Sequence, residues 1–268
     1  MRRGRAMAVA MAGTPVALSI GVPAGTLLAR LIGWRSTFGL MSVLALMLVV
    51  WILRELPDLR GQSEHARATP VGRVLRIPGV APVLLVTGAF VLAHNILYTS
   101  IAALAAAARI EDRVDAVLAF GACSLASIRI TGMLIDRHLR PLMIAAVALF
   151  GTAALGFGVF AHIPWLIFAC SALWGLSFGG AATLLQTAVA DAAAHASDIA
   201  QSLLVTCWNV GVAGAGVADG MLLGREGPEA LPWTALALLA VGPTVTVAAN
   251  QHGFPSRSPR GARPKTDR

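Results

Sequence analysis

The chain has 268 residues, of which 57% are hydrophobic and 13% are charged, and its mean hydropathy is +0.74. The charged share is about half that of a soluble domain, which excludes an ordinary soluble fold and indicates helices that cross a bilayer. The net charge of +8 does not indicate nucleic-acid binding, because the basic residues punctuate apolar runs instead of gathering on one face. Cys123, Cys170 and Cys207 lie singly within apolar runs, so we predict no disulfide framework, metal site or cofactor.

Apolar runs of about 20 residues recur along the chain, and each is long enough to cross the roughly 30 Å hydrocarbon core as a helix. Eight spans are predicted, at residues 7–30, 36–54, 79–107, 115–135, 141–161, 164–189, 200–224 and 231–250. The fourth span is the weakest of these, since it contains Arg129. The sequence therefore predicts an all-α polytopic membrane protein.

The first span contains the stretch SIGVPAGT, in which Pro23 lies between Gly21 and Gly25. In lipid, proline is tolerated inside a helix because neighbouring groups satisfy the freed backbone carbonyl, and it introduces a kink. Two glycines four residues apart form a small face on which a second helix can approach closely. We therefore expect a kinked helix with a close helix contact at this point.

The distribution of basic residues predicts the topology. With eight spans both ends lie on one side of the membrane, and the segments on that side carry three times as many lysines and arginines as the opposite segments. The positive-inside rule then assigns both termini to the cytoplasm. Nearly all of the 21 basic residues are arginine, which is typical of a GC-rich bacterial genome and indicates a bacterial plasma membrane.

Two polar stretches divide the chain. The segment from residue 54 to residue 76 is the longest interior loop, and the tail after residue 250 is rich in proline, serine and arginine. The tail is expected to be disordered and attracted to anionic lipid headgroups. The predicted division is two helices in 1–54, a cytoplasmic loop in 55–78, a six-helix bundle in 79–250 and a basic tail in 251–268.

Five stretches resemble a known family. Residues 19–38 resemble helix five and the start of helix six of drug/proton antiporters in the major facilitator superfamily, in the branch of arabinose or sugar efflux and chloramphenicol-resistance transporters. Residues 92–99 (LAHNILYT) are similar to helix seven of that branch, and 132–140 (GMLIDRHLR) to its second cytoplasmic G-x-x-x-D-R motif. Residues 172–180 with 184–187, and residues 201–209, are similar to helices ten and eleven.

The resemblance implies a fold of twelve helices in two halves, of which this chain would hold helices five to twelve. It also implies efflux of a drug-like or sugar-like molecule by alternating access, in exchange for protons. We expect the chain to be an amino-terminally truncated transporter that associates either with the missing first four helices or with a second copy of itself. The alternatives are a non-transporting membrane fragment or interaction subunit, and, less favoured, a membrane enzyme, which would need a cluster of His, Asp or Cys at one depth.

Polar and aromatic residues near mid-depth are the candidates for a substrate cavity. His94, Asn95 and Tyr98 lie within about one turn of each other in the third span, and Trp208 and Asn209 lie in the seventh. These side chains could line a central site for a small molecule, or they could form hydrogen bonds and packing contacts between helices. Trp174 and Trp208 could stack on an aromatic substrate or fill packing space.

Charged residues at the ends of spans are the candidates for conformational coupling. Gly132, Asp136, Arg137 and Arg140 form a cluster at the predicted cytoplasmic end of the fourth span, and this cluster is either a conformational latch or an ordinary interfacial group of charges. Asp219 is the only acidic residue placed within a span. It could carry protons, or it could pair with Arg225 near the interface.

Overall fold

A computed structural model describes residues 22–55, 70–99, 113–160, 163–193 and 196–248. The chain divides into two compact units, residues 1–68 and residues 69–268. Secondary structure in the described ranges is helical throughout. The predicted all-α polytopic bundle is confirmed, whereas the predicted domain boundaries stay predictions, since residues 56–69 and 249–268 are not described.

The described residues of the first unit form the helices α1 (Val22–Ile32) and α2 (Trp34–Glu55). They are separated only by Gly33, whose φ of 83° lies in the left-handed region that glycine adopts at low cost. The side chains of α2 are exposed along nearly its whole length, and the 22-residue helix is apolar and long enough to cross a membrane. Lipid is the environment in which such a helix is stable.

The second unit begins with the short helix α3 (Val71–Leu75) and continues with α4 (Val80–Thr99) and α5 (Arg113–Phe160). It ends with α6 (Pro164–Ala193), α7 (Ser197–Arg225) and α8 (Ala230–Ala248). Apart from α3 and α8, each of these helices is apolar and long enough for a span. The apolar part of α5 has 42 residues, enough for two crossings.

Helix α5 is bent at His138, whose φ of −129° and ψ of 31° are not helical, and Pro141 follows. We call residues 113–137 the first arm and residues 139–160 the second arm. The first arm packs on α6 with contacts that advance in the same sense along both helices: Phe120 meets Gly175, and Ser124 meets Gly179. The first arm and α6 are therefore parallel.

The second arm packs on α6 in the opposite sense. Gly156 lies against Cys170, while Phe150 lies against Trp174 further along α6. The two arms thus run in opposite directions, and the chain reverses near His138. The fourth and fifth predicted spans are both present, and a single non-helical residue takes the place of the expected loop. Pro141, three residues after His138, can occupy the first turn of a new helix.

The remaining helices continue this alternation. Helix α7 runs parallel to α4, since Cys207 Sγ donates a hydrogen bond to the carbonyl of Leu84 at 3.2 Å and Gly211 packs on Val91. Helix α8 runs antiparallel to the second arm, with contacts that join Trp233 to Gly158 and Gly242 to Val147. The core lies between α4, α5, α6 and α8, and α7 is the most exposed of the long helices of this unit.

Candidate functional site

An aromatic stripe runs along one face of α4. Phe90, His94 and Tyr98 recur at intervals of four residues, so their side chains lie one above the other on the helix. Phe90 is 1% exposed and His94 is 6% exposed, whereas Tyr98 is half-buried near the end of α4. The stripe therefore leads from the core toward the carboxyl end of α4.

A second stripe, on α6, interleaves with the first. Phe178 stacks on His94, with ring centroids 3.6 Å apart and planes 10° apart. It also lies parallel to Phe90 at 6.5 Å. Trp174, one turn before Phe178, lies 5.2 Å from His94 and 6.3 Å from Tyr98. Since α4 and α6 are antiparallel, the two stripes meet along their length.

His94 and Trp174 are joined by a buried hydrogen bond. The indole Nε1–H of Trp174 donates to Nδ1 of His94 at 3.1 Å, across 80 positions of sequence. A ring nitrogen that accepts a hydrogen bond carries no proton, so the neutral imidazole carries its proton on Nε2. The ring is thus held in one tautomer and one orientation by a partner on a different helix.

Rings from α5 and α7 complete what we call the aromatic cluster. Phe120 of the first arm lies 4.9 Å from Trp174, and Phe150 of the second arm stacks on Trp174 at 5.9 Å. Trp208 of α7 lies 6.3 Å from Phe178. Phe150 is fully buried, whereas Phe120, Phe178, Tyr98 and Trp208 are half-buried. The cluster therefore has a closed base and a partly open rim around His94.

Two close helix contacts fix the position of the first arm. A Cβ on Gly179 would overlap the backbone carbonyl of Ser124, and the adjacent Gly180 donates its backbone N–H to Ser127 Oγ at 3.1 Å. Small residues at these positions allow the two backbones to touch. This contact holds Phe120 at the aromatic cluster.

The predicted asparagines form hydrogen bonds within their own helices. Asn95 donates its amide N–H to the carbonyl of Val91 at 2.9 Å, and Asn209 donates to the carbonyl of Val205 at 2.8 Å. Asn95 is half-buried and Asn209 is exposed. The hydrogen bonds that these amide N–H groups donate are therefore within one helix and not between helices, which was the alternative to lining a cavity. Each amide oxygen can still accept a hydrogen bond from a ligand.

The exposed face of α7 is polar or small at its centre. Ala200, Leu204, Gly211 and Ala215 form its buried face. On the opposite face, exposed residues recur at alternating steps of four and three: Ser202, Thr206, Asn209, Ala213, Gly216 and Gly220. We call this set the α7 polar face. Large apolar side chains such as Val210 and Val217 flank it and are exposed as well.

The predicted motif residues lie apart from the aromatic cluster. Asp136 and Arg137 are exposed at the end of the first arm, and Arg140 is half-buried at the start of the second. The Nε atom of Arg140 is buried and has no hydrogen-bond partner in the part of the chain that the structure describes. Gly132 is exposed, and no described side chain or other helix lies within 4 Å of a Cβ placed on it.

The other predicted residues are only partly described. Gly21 lies outside the described residues. Pro23 and Gly25 lie in the first turn of α1 as described, and no other described side chain or helix lies within 4 Å of a Cβ on Gly25. Asp219 is half-buried near the carboxyl end of α7. The conformational and coupling roles of all these residues stay predictions.

The structure thus brings together His94, Tyr98 and Trp208 of the predicted cavity residues. His94 stacks directly on Tyr98 at 5.5 Å, and Phe178 links Trp208 to His94. Sequence reasoning missed Phe120, Phe150 and Phe178 as members of the cluster. The interval of four that relates Trp174 to Phe178 and Phe90 to His94 was the available signal, since it places each pair on one helical face.

These features define a polytopic helical membrane protein whose second unit carries a buried polar and aromatic cluster. The particular family follows from comparison with known proteins. The profile of the Major Facilitator Superfamily matches residues 1–216 and again 114–262, and the chain belongs to this superfamily. The predicted family is thereby confirmed.

Curated relatives of the chain are efflux proteins by name. The chain is 23% identical over 245 residues to the probable sugar efflux transporter of Helicobacter pylori strain P12, covering 90% of this chain and 62% of the relative. It is 25% identical over 254 residues to the purine ribonucleoside efflux pump NepI of Escherichia coli strain K12, covering 91% of this chain and 63% of the relative. The chain therefore spans about three-fifths of the length of these relatives.

Proposed function

We propose that the chain forms an efflux transporter, or the greater part of one, for sugar-like or nucleoside-like small molecules in a bacterial plasma membrane. Transport would proceed by alternating access in exchange for protons, with both termini in the cytoplasm. The family and the names of the two relatives support the direction and the substrate classes. In the family's mechanism, two helical halves rock against each other around a central site.

The observation that carries the proposal is His94. It is an ionisable side chain near mid-depth of a predicted span, buried among aromatic rings. Ionisable groups inside a bilayer are costly, and they are retained mainly where they serve transport, binding or proton relay. A half-buried aromatic rim gives flat apolar surfaces on which a nucleobase or the apolar face of a sugar can stack.

The α7 polar face supports the same site. A helix surrounded by lipid on its exposed side would be expected to present large apolar residues at the centre of that side. Here the centre carries Ser202, Thr206 and Asn209, and the valines lie at its flanks. We infer that this face borders an aqueous cavity or another part of the transporter, with Asn209 as a polar contact for substrate.

Asp219 is the proposed proton-coupling residue. It lies on α7, nearly three turns after Asn209, and it is half-buried. A carboxylate that is alternately protonated and deprotonated as the cavity changes sides would link proton movement to substrate movement. The cluster of Asp136, Arg137 and Arg140 is proposed as a conformational latch at the cytoplasmic end of the first arm.

The test is transport by the purified chain in liposomes. With an acidic lumen, proton efflux should drive uptake of labelled inosine or arabinose, and a proton ionophore should abolish it. Asp219→Asn should lose this driven uptake but keep exchange of substrate between the two sides. Asn209→Ala should weaken uptake, whereas Val210→Ala, its exposed apolar neighbour, is the control and should transport normally.

The outcomes separate the possibilities. Driven uptake in Asp219→Asn would assign coupling to a different group. Absence of both binding and transport for either substrate class would contradict the proposal and favour the second candidate, a non-transporting membrane fragment or interaction subunit.

A further inference from the structure

We propose that Trp174 is a positioning residue that makes His94 a one-sided hydrogen-bond donor. The indole N–H of Trp174 donates a hydrogen bond to Nδ1 of His94. This leaves the Nε2–H as the imidazole group that can donate to an acceptor atom of a transported molecule. The part of this inference that concerns a substrate rests on the proposed function. The part that concerns the tautomer of His94 stands on the geometry alone.

The geometry restricts His94 in three ways. The hydrogen bond of 3.1 Å from Trp174 fixes the direction of Nδ1. Phe178 covers one face of the ring at 3.6 Å and keeps it from rotating out of plane. Tyr98 lies along the same helix at 5.5 Å, toward the rim. Because Nδ1 and Nε2 lie on different sides of the imidazole, the remaining N–H points away from Trp174.

The indole is itself held in place by packing. Trp174 is 1% exposed, stacks on Phe150 at 5.9 Å and meets the edge of Phe157 at 6.2 Å. An indole N–H is a donor only, so it cannot adapt to a protonated Nδ1 as a hydroxyl or a water molecule could. Trp174 therefore selects one tautomer of His94, which phenylalanine at this position could not do.

The consequence is a preference for ligands with an acceptor in the plane of a flat ring. Carbonyl oxygens and unprotonated ring nitrogens of a nucleobase meet this description, and the surrounding aromatic rim can stack on the same ring. We therefore assign purine nucleosides, in preference to sugars, to the His94 side of the site. Inosine is the probe, and arabinose is the comparison.

Two substitutions of His94 separate its two nitrogens. Asn at this position places an acceptor where Nδ1 lies, so His94→Asn keeps a partner for the Trp174 indole and loses the Nε2 donor. Gln places an amide N–H where Nε2 lies, so His94→Gln keeps the donor and leaves the indole without its partner. The two variants therefore remove opposite halves of the proposed arrangement.

The test measures inosine binding and thermal stability of the full chain in nanodiscs. We expect His94→Asn to be close to wild type in stability but to bind inosine about tenfold more weakly, and His94→Gln to be less stable but to bind within about threefold of wild type. A merely structural role predicts instead that affinity follows stability. Equal losses of affinity in the two variants, or the reverse order, would overturn the substrate part of the inference.

The tautomer is measured independently of any ligand. Nitrogen-15 shifts of labelled histidine, with the His94 signal identified by its loss in His94→Asn, should show a protonated Nε2 and an unprotonated Nδ1. Trp174→Phe should abolish this single state, whereas Trp165→Phe, an exposed tryptophan on the same helix, should leave it unchanged. A protonated Nδ1 in the wild type would overturn the inference.

The two measurements also separate this inference from the proposed function. If the shifts show the expected tautomer but neither inosine nor arabinose binds, the proposed function and the substrate part of the inference both fail, and Trp174 still positions His94. If inosine binds but the tautomer is wrong, transport of nucleosides remains supported and the role of Trp174 is refuted.

Discussion

Replacement of Gly179 by alanine should destabilise the contact between α6 and the first arm of α5. A Cβ at this position would overlap the carbonyl oxygen of Ser124 and would lie 2.8 Å from both its carbonyl carbon and its Cα. These are backbone atoms of a hydrogen-bonded helix, so they cannot turn aside as a side chain could. The two helices must separate, and a gap of about 1 Å forfeits up to half of the dispersion attraction across it.

The magnitude follows from two opposing effects. Alanine gains about 1 kcal/mol over glycine in helix propensity, whereas overpacking costs about 1–3 kcal/mol and tends to exceed this when backbone must move. We expect a net loss of about 2 kcal/mol, a factor of about 30 in the ratio of folded to unfolded protein. The displacement also withdraws Phe120 from Trp174, so inosine binding should weaken in parallel.

The assay is unfolding in a titration of dodecyl sulfate, followed by circular dichroism. Gly216→Ala is the matched control, because this glycine lies on the α7 polar face and no other helix or described side chain lies within 4 Å of its Cβ position. Its stability should equal or exceed that of wild type. The reasoning is refuted if Gly179→Ala unfolds at the same detergent fraction as Gly216→Ala.

Two further predictions concern hydroxyl groups and topology. Ser127→Ala should lower the free energy of unfolding by about 1 kcal/mol, because Ser127 Oγ accepts the backbone N–H of Gly180. Ser177→Ala should be neutral or stabilising, since the buried Ser177 hydroxyl has no partner among the described residues. Equal effects of the two substitutions on thermal unfolding would contradict this prediction. Reporters fused after Arg113 and after Arg140 should occupy opposite compartments, because the first arm of α5 lies between these points. Activity of both reporters on one side would refute the crossing of the membrane by the first arm.

The sequence was sufficient to predict where helices lie because the bilayer imposes their length. Backbone groups in lipid must form hydrogen bonds within the helix, so each apolar run of about 20 residues becomes one span. The limits of α6 and α7 lie within a few residues of the predicted spans. The turn at His138 was located by the charged residues around it, since arginines and aspartates favour the interface.

The pairing of helices could not be predicted in the same way. In a soluble helix the polar face marks the side away from the core, but lipid is as apolar as the core, so both sides of α4 and α6 carry hydrophobic residues. The contact of Gly179 with Ser124 and the stacking of Phe178 on His94 join residues far apart in the chain. No local pattern specifies such partners, although the interval of four residues indicates which side chains share a face.

The sequence identified some residues of the candidate site but not the contacts between them. His94, Tyr98 and Trp208 stand out as polar or amphipathic residues in apolar spans, so they could be named from the sequence. Trp174 was weighed only as a surface for stacking or as packing. Its function as a hydrogen-bond donor to His94 depends on the antiparallel register of α4 and α6, which composition does not specify.

Polar groups of the bundle divide into those bonded within a helix and those bonded between helices, and only the second kind resists movement of one helix past another. Asn95 and Asn209 donate to their own helices, so movement of one helix past another leaves these bonds intact. The bonds from Trp174 to His94 and from Cys207 to the Leu84 carbonyl join separate helices. Such contacts favour movement of the second unit as one rigid body, which the proposed alternating access by rocking halves would require. In that proposal, a site built on them would keep its geometry while access to it changes.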